Sequence, residues 1–203
     1  MSSIHQAVNT LGTETIRSLV LIYGIFNKYE NDSGLSTVIG PLSRQALQCA
    51  NLARTIAERE KFDQANLNHA FTAGLLHDIG QLVLAINHHA QHEKIWEEPG
   101  ADSKSRLQME LDLFQTSHAK VGAYLLNIWR LPDPVIESVA YHHTPDEAPD
   151  DSFSILTVVH AAQALIEDDG NVDQTYLQRL DVSSKLPIWT DIYNELCTPL
   201  EST

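Results

Sequence analysis

His77 and Asp78 stand side by side at the end of the apolar run Ala73-Gly74-Leu75-Leu76, and His118, His142 and His143 follow them in the same 203-residue chain. Imidazole nitrogens and a carboxylate are the donors of a transition-metal site. Neutral imidazole suits zinc, iron, nickel and copper, and a carboxylate can join the same cation or bridge two of them. A charged carboxylate set against apolar neighbours needs a cation or strong donors to offset its desolvation, so something must face Asp78. A buried polar network without an ion would meet the same need, and the residues alone leave both readings open. The histidines reach Asp78 only if three helices pack around one cleft. Of the ten histidines, His88, His89 and His92 fall in a polar, amphipathic stretch and read as solvent-exposed, as do His5 and His69.

The elements that must position these groups read as helices. Apolar residues from Ile4 to Phe26 recur at three- and four-residue steps, the period of a helix with one buried face, with Gly12 as an interruption and a turn over residues 29–34. Leu42, Ala46, Cys49, Ala50, Ala53, Ile56 and Ala57 mark a second buried stripe whose small residues allow close packing. Residues 63–86 read as one central helix, in which Gly80 suggests a bend just after His77-Asp78. One or two polar surface helices follow over 88–114, with Asp102 or Ser103 as a cap after the loop at 98–102. Ser117 caps the next helix, which is expected to stop near Leu131-Pro132 because proline lacks an amide donor and disfavours helix before itself. Asp133-Pro134 opens a short helix to Tyr141, and a strongly apolar helix spans 153–166. Two short peripheral helices, over 173–180 and 187–196, complete the chain. No stretch alternates with period two between hairpin turns, so the fold class is all-α.

Bulk composition narrows the function. Thirteen Lys and Arg against 27 Asp and Glu give a net charge of −14, which repels phosphate backbones and anionic lipid, so neither nucleic acid nor a membrane is expected as a partner. Cys49 and Cys197 have no metal-type spacing and fit a reducing compartment. No basic-then-apolar leader opens the chain, and no apolar run reaches the ~18 residues that span a bilayer; a soluble, cytoplasmic protein is expected. Trp129, at helical spacing, reads as core, whereas Trp96 and Trp189, flanked by polar residues, are candidates for a homodimer surface.

Three separated stretches occur in one order: Gly74-Leu75-Leu76-His77-Asp78-Ile79-Gly80, then His118-Ala119-x-Val121-Gly122-Ala123 running on to Trp129-x-Leu131-Pro132, then His142-His143-x-Pro145. Together they closely resemble the HDOD family, the regulatory branch of the HD superfamily of metal-dependent phosphohydrolases. The opening Ser3-Ile4-x-x-Ala7-Val8-x-x-Leu11-Gly12 resembles a segment internal to such domains. The resemblance implies a compact multi-helix bundle of the HD-domain type over residues 1–168, begun inside the domain without its usual N-terminal helices. Residues 169–203 are then a helical extension packed on the same domain.

In catalytic HD enzymes a first histidine, the His-Asp doublet and a late aspartate hold one metal, and further histidines hold a second. Here Gln45, or Arg44, aligns with the first histidine, Gln163 with the late aspartate, and Gln81 with a common lysine. An amide in place of imidazole or carboxylate removes a nitrogen donor or a negative charge, which argues against two metals. His77, Asp78, His118, His142 and His143 could still hold one divalent ion (Zn, Mn, Fe, Ni or Mg), with Asp78 the candidate catalytic residue.

The implied function is a non-catalytic signal-transduction output module of a bacterial signalling protein. Its partners would be signalling proteins, an upstream receiver-type domain, or a second copy of itself. The alternative is a divergent metal-dependent phosphohydrolase acting on a nucleotide or other phosphoester with one cation. The basic residues available to it near the motifs are Lys120 and Arg130, with Arg44 and Arg54 from the second helix.

Overall fold

The long stripe of small residues from Ala46 to Ala57 lies inside α1 (Ser36–Arg59), and Cys49, Ala50, Ala53, Ile56 and Ala57 are fully buried. The computed structural model describes residues 35–167 and 172–197, with scattered positions between 13 and 29. The helix expected over residues 4–27 and the turn at 29–34 fall largely outside the described residues, as does His5. Every regular element among the described residues is helical, so the all-α reading holds.

Against α1 lies α2 (Gln64–Leu76), whose N-terminus is capped by Asp63 through a 2.9 Å bond from the Asn66 amide. The two approach so closely that a methyl group on Gly74 would lie 2.9 Å from the Ala50 backbone. Only a residue without a side chain fits that crossing. The single helix expected over 63–86 is two, because the chain turns at His77-Asp78 and resumes as α3 (Ile79–Asn87). The break falls on the doublet, and Gly80 lies inside α3, where it serves close packing instead of a bend. Breaking there lifts both polar side chains out of the helical ladder while keeping them in the core.

The stretch Gln64–Asn87 has the length and mean hydropathy, 1.2, of a membrane-crossing helix, against the expectation that no such run exists. However, most of this apolar stretch is buried inside the domain, so the same surface forms the core.

Next come α4 (His89–Trp96), α5 (Ser103–Phe114), α6 (His118–Ile128) and α7 (Asp133–Tyr141). Asp102 and Ser117 cap α5 and α6 by accepting from the Ser105 and Lys120 amides. A 3-10 turn (Pro145–Glu147) leads to α8 (Ile155–Ile166), buried almost all round and packed on α1, α2 and α7. Then follow α9 (Gln174–Arg179) and α10 (Leu186–Cys197).

Two surface expectations fail. The final helices are not peripheral: Tyr176, Leu177 and Trp189 are fully buried. The Trp189 ring lies parallel to Phe153, and its N–H donates 3.0 Å to Glu60, just past the end of α1, so it cannot form a dimer surface. Trp129 is half-buried against the core, and Trp96 half-buried under the Arg106 guanidinium. The segment 88–114 is not all surface either, since His92, Ile95 and Glu110 are buried.

His92 illustrates the cost. His88 is exposed and His69 and His89 half-buried, but His92 is 1% exposed, and burial pushes its imidazole from 6.5 down to about 4 despite the pull of Glu110. A neutral folded histidine facing an unfolded one that takes up a proton gives a definite sign. Its contribution to stability is intact above about pH 6.5 and is lost as pH falls toward about 4. At pH 5 the loss from this group is roughly 2 kcal/mol. Melting curves between pH 7 and pH 5 should fall more steeply for the wild type than for His92→Gln, and equal slopes would rule this account out.

Candidate metal centre

The turn between α2 and α3 puts Asp78 at the middle of a ring of imidazoles, because α6 begins at His118 and α7 ends at His142 beside it. One Asp78 oxygen lies 3.2 Å from His118 Nε2 and 3.6 Å from His142 Nε2, and the other lies 3.1 Å from His77 Nε2. His143 adds its own Nε2, 3.1 Å from that of His118. One ligand atom each from Asp78, His118, His142 and His143 falls within 4.8 Å of all the others. His77 stands outside this group of four, against the opposite oxygen of Asp78.

The far sides of the rings decide what the near sides can do. His77 Nδ1 donates to the Gly74 carbonyl at 2.7 Å, and His142 Nδ1 to the Val139 carbonyl at 2.9 Å, each one turn back along its own helix. His118 Nδ1 donates to Glu110 of α5 at 2.8 Å, and the same carboxylate accepts the His118 amide at 2.7 Å. With Nδ1 committed as donor in three rings, each neutral imidazole turns an Nε2 lone pair inward. Those lone pairs meet carboxylate oxygens, which also only accept. Both Asp78 oxygens and the Nε2 atoms of His77 and His142 are buried without a hydrogen-bond partner among the described residues. Convergent buried acceptors with no donor between them are what a divalent cation satisfies, so the residues fit one ion bound by three nitrogens and an oxygen.

Without an ion, protons take its place. Burial opposes charge on His77, yet the adjacent Asp78 carboxylate outweighs it and holds the ring well above the usual imidazole value. His118, also opposed by burial, rises to about 10 under the hydrogen bonds of Asp78 and Glu110. Burial drives His142 down to about 4 and His143 well below its ordinary value, the latter helped by charge on its neighbours. Burial would raise the Asp78 carboxyl, but the charge on His77, with His118 close by, outweighs it and holds the carboxyl well below the carboxylate range.

The two amide positions stay outside the cluster. Gln163 is buried on α8 and donates 2.7 Å to Glu167. Gln45 lines a separate cavity with Gln81 and His92. Sequence reasoning missed Glu110, a lone carboxylate in a helix read as surface, with no signal separating it from Asp112. It also missed His160, whose Nδ1 donates 2.7 Å to the His142 carbonyl and whose Nε2 accepts from the Asp173 amide at 3.0 Å.

Glu110 has the place of an outer carboxylate that orients a ligating imidazole and raises its basicity. Glu110→Gln should weaken binding of added zinc by about 10- to 100-fold, measured by competition with a chelating dye. Unchanged affinity would mean His118 is not a ligand.

An all-helical domain whose broken central helix carries a His-Asp doublet into a ring of histidines defines an HD-type class of protein. The HDOD domain family model matches residues 1–145, and the chain belongs to that family. Among solved structures it is similar over 98% of its length to an HDOD domain protein of unknown function from Geobacter sulfurreducens (TM-score 0.67, 22% identity, 76% of that chain). It is similar over 97% to a Shewanella amazonensis SB2B protein provisionally named a phosphohydrolase (TM-score 0.66, 22% identity, 74% of that chain). Over 76% of its length it also resembles a Marinobacter aquaeolei VT8 protein provisionally named for signal transduction (TM-score 0.56, 20% identity, 38% of that chain). At these identities the likeness is one of fold. An uncharacterised Treponema pallidum (strain Nichols) protein is 28% identical over 104 residues, 51% of this chain and about a fifth (20%) of that protein's length.

Proposed function

We propose that this chain is a regulatory output module of signal transduction, with a one-ion HD site that braces the fold and does not turn over phosphoesters. Space carries the reading. Asp78, His118 and His142 are 3% exposed or less, and the cavity that touches His142 and His143 holds about 40 Å³. That is room for a water molecule or two, and a phosphoester does not fit. The donor set agrees, because Gln45 and Gln163 stand where a second ion would need an imidazole and a carboxylate. A bound cation would supply positive charge at Asp78, and the chain's own residues would then tie the 77–78 turn to α6 and α7.

Signalling proteins, an upstream receiver-type domain or a second copy of the chain are the partners this reading expects. The chemistry is tested by metal quantification on protein purified without chelator, beside assays on nucleotides, cyclic dinucleotides and a nitrophenyl phosphoester with added manganese, iron or zinc. We expect at most one ion per chain and no turnover. Turnover that disappears in Asp78→Ala would instead establish a phosphohydrolase, the reading favoured by Lys104 and the half-buried His143 beside the small cavity.

A further inference from the structure

Two adjoining cavities lie between α1 and the α4–α5 segment, on the side of the domain where Gln45 replaces a ligand. The inner one, about 230 Å³, is lined by Leu42, Gln45, Gln81, His92 and Trp96. The outer one, about 500 Å³, is lined by Arg44, Gln48, Asp102, Arg106 and Glu167, and the two share Pro41, Gln45 and Trp96. Together they have the size of a small-molecule site.

Their walls carry polar groups with nothing to bind. His92 is 1% exposed, and neither ring nitrogen has a hydrogen-bond partner among the described residues; the same holds for Trp96 Nε1 and Arg106 Nε. Buried polar atoms are normally paired, so unpartnered ones bordering the inner chamber (His92), the outer chamber (Arg106) and both (Trp96) point to a ligand that pairs them. The inner chamber offers an imidazole, an indole N–H and two primary amides beside Leu42, which suits a flat ring edged with alternating donors and acceptors. His92 stacks on Trp96 with 5.7 Å between ring centroids and 29° between ring planes, and the Arg106 guanidinium lies over the indole at 4.9 Å. The outer chamber brings two guanidiniums, groups matched to phosphate oxygens. Its carboxylates are already occupied, Asp102 with the Ser105 amide and Glu167 with Ser103 and Gln163.

We propose that this cleft binds a nucleoside phosphate, with the base in the inner chamber and the phosphate against Arg44 and Arg106. An apolar ligand would leave the His92 and Trp96 nitrogens unpaired, and a bare anion would leave the inner chamber unfilled. Binding requires neither the ion nor turnover, so it stands or falls apart from the reading of the metal site.

The test is calorimetric titration of the whole chain with AMP, GMP, CMP, UMP and inorganic phosphate, all in EDTA. At least one nucleotide should bind with a Kd below about 1 mM, and inorganic phosphate at least about tenfold more weakly. Arg106→Ala and, separately, the exposed Arg44→Ala should each weaken that nucleotide by about 10- to 100-fold while the circular dichroism stays that of wild type. Gln45→Leu should weaken the nucleotide and leave phosphate binding unchanged. Absence of binding by all four nucleotides overturns the proposal. So does phosphate binding as tightly as the nucleotide, or full affinity in the folded Arg44→Ala variant.

Discussion

A Gly80→Ala variant is expected to lose about 3 kcal/mol of unfolding free energy or more, at the upper end of what overpacking costs. Helix propensity alone predicts the opposite, because alanine is favoured over glycine in a helix interior by roughly 1 kcal/mol. Packing wins. A methyl group on Gly80 would fall inside the carbonyl of His118 and 2.8 Å from the Gly122 amide nitrogen, and both obstacles are backbone that no rotamer change can move. To admit it, α3 must part from α6, which separates Asp78 from His118. Gly40→Ala provides the contrast. It lies on the exposed face of α1 with no atom of the described residues within 4 Å of the added methyl, and it should be neutral or mildly stabilising. Urea unfolding of the two variants reads the difference directly, and a Gly80→Ala midpoint equal to wild type would mean that the α3–α6 crossing is looser than described.

Asp78→Ala is expected to abolish ion binding, with affinity for zinc or manganese falling by at least about 100-fold. Asp78 is the only carboxylate among the four converging ligands, so its loss leaves neutral nitrogens to hold a dication in a buried place. The readout is the shift in unfolding free energy on adding metal. A cation at 100 times its Kd stabilises a folded protein by about 2.7 kcal/mol, and the variant should show almost none of that. A full shift in Asp78→Ala would move the ion elsewhere in the molecule.

Much of the scaffold was readable from local chemistry. Asp102 and Ser117 cap the helices where side-chain acceptors precede an apolar period, but α6 ends at Ile128, before Pro132 can act, in a left-handed turn at Arg130 (φ 57°) from which the Leu131 amide donates back to the Leu126 carbonyl. The break at His77-Asp78 was legible only as a bend expected just after the doublet from Gly80, since the hydrophobic pattern of residues 64–87 runs through it without a change of period. What stops the helix there is the demand of the side chains for partners on α6 and α7, a tertiary effect. Glu110, His92 and Trp189 were misread for a related reason. Each is a polar or amphipathic residue in a polar stretch, buried by packing between helices that its own stretch does not announce: Glu110 faces His118 from the neighbouring helix, and Trp189 reaches Glu60 from the other end of the chain. The convergence of His118, His142 and His143 on Asp78 was legible only through resemblance, because spacing within a helix carries no information about crossings between helices.

The tight enclosure of Asp78 and its imidazoles has a kinetic consequence. With Asp78, His118 and His142 enclosed by α3, α6 and α7, and a water-sized gap beside the half-buried His143, a cation captured during folding would escape mainly as the helices separate. Exchange would then be governed by how often the domain breathes, and each molecule would carry whichever ion was abundant when it was made.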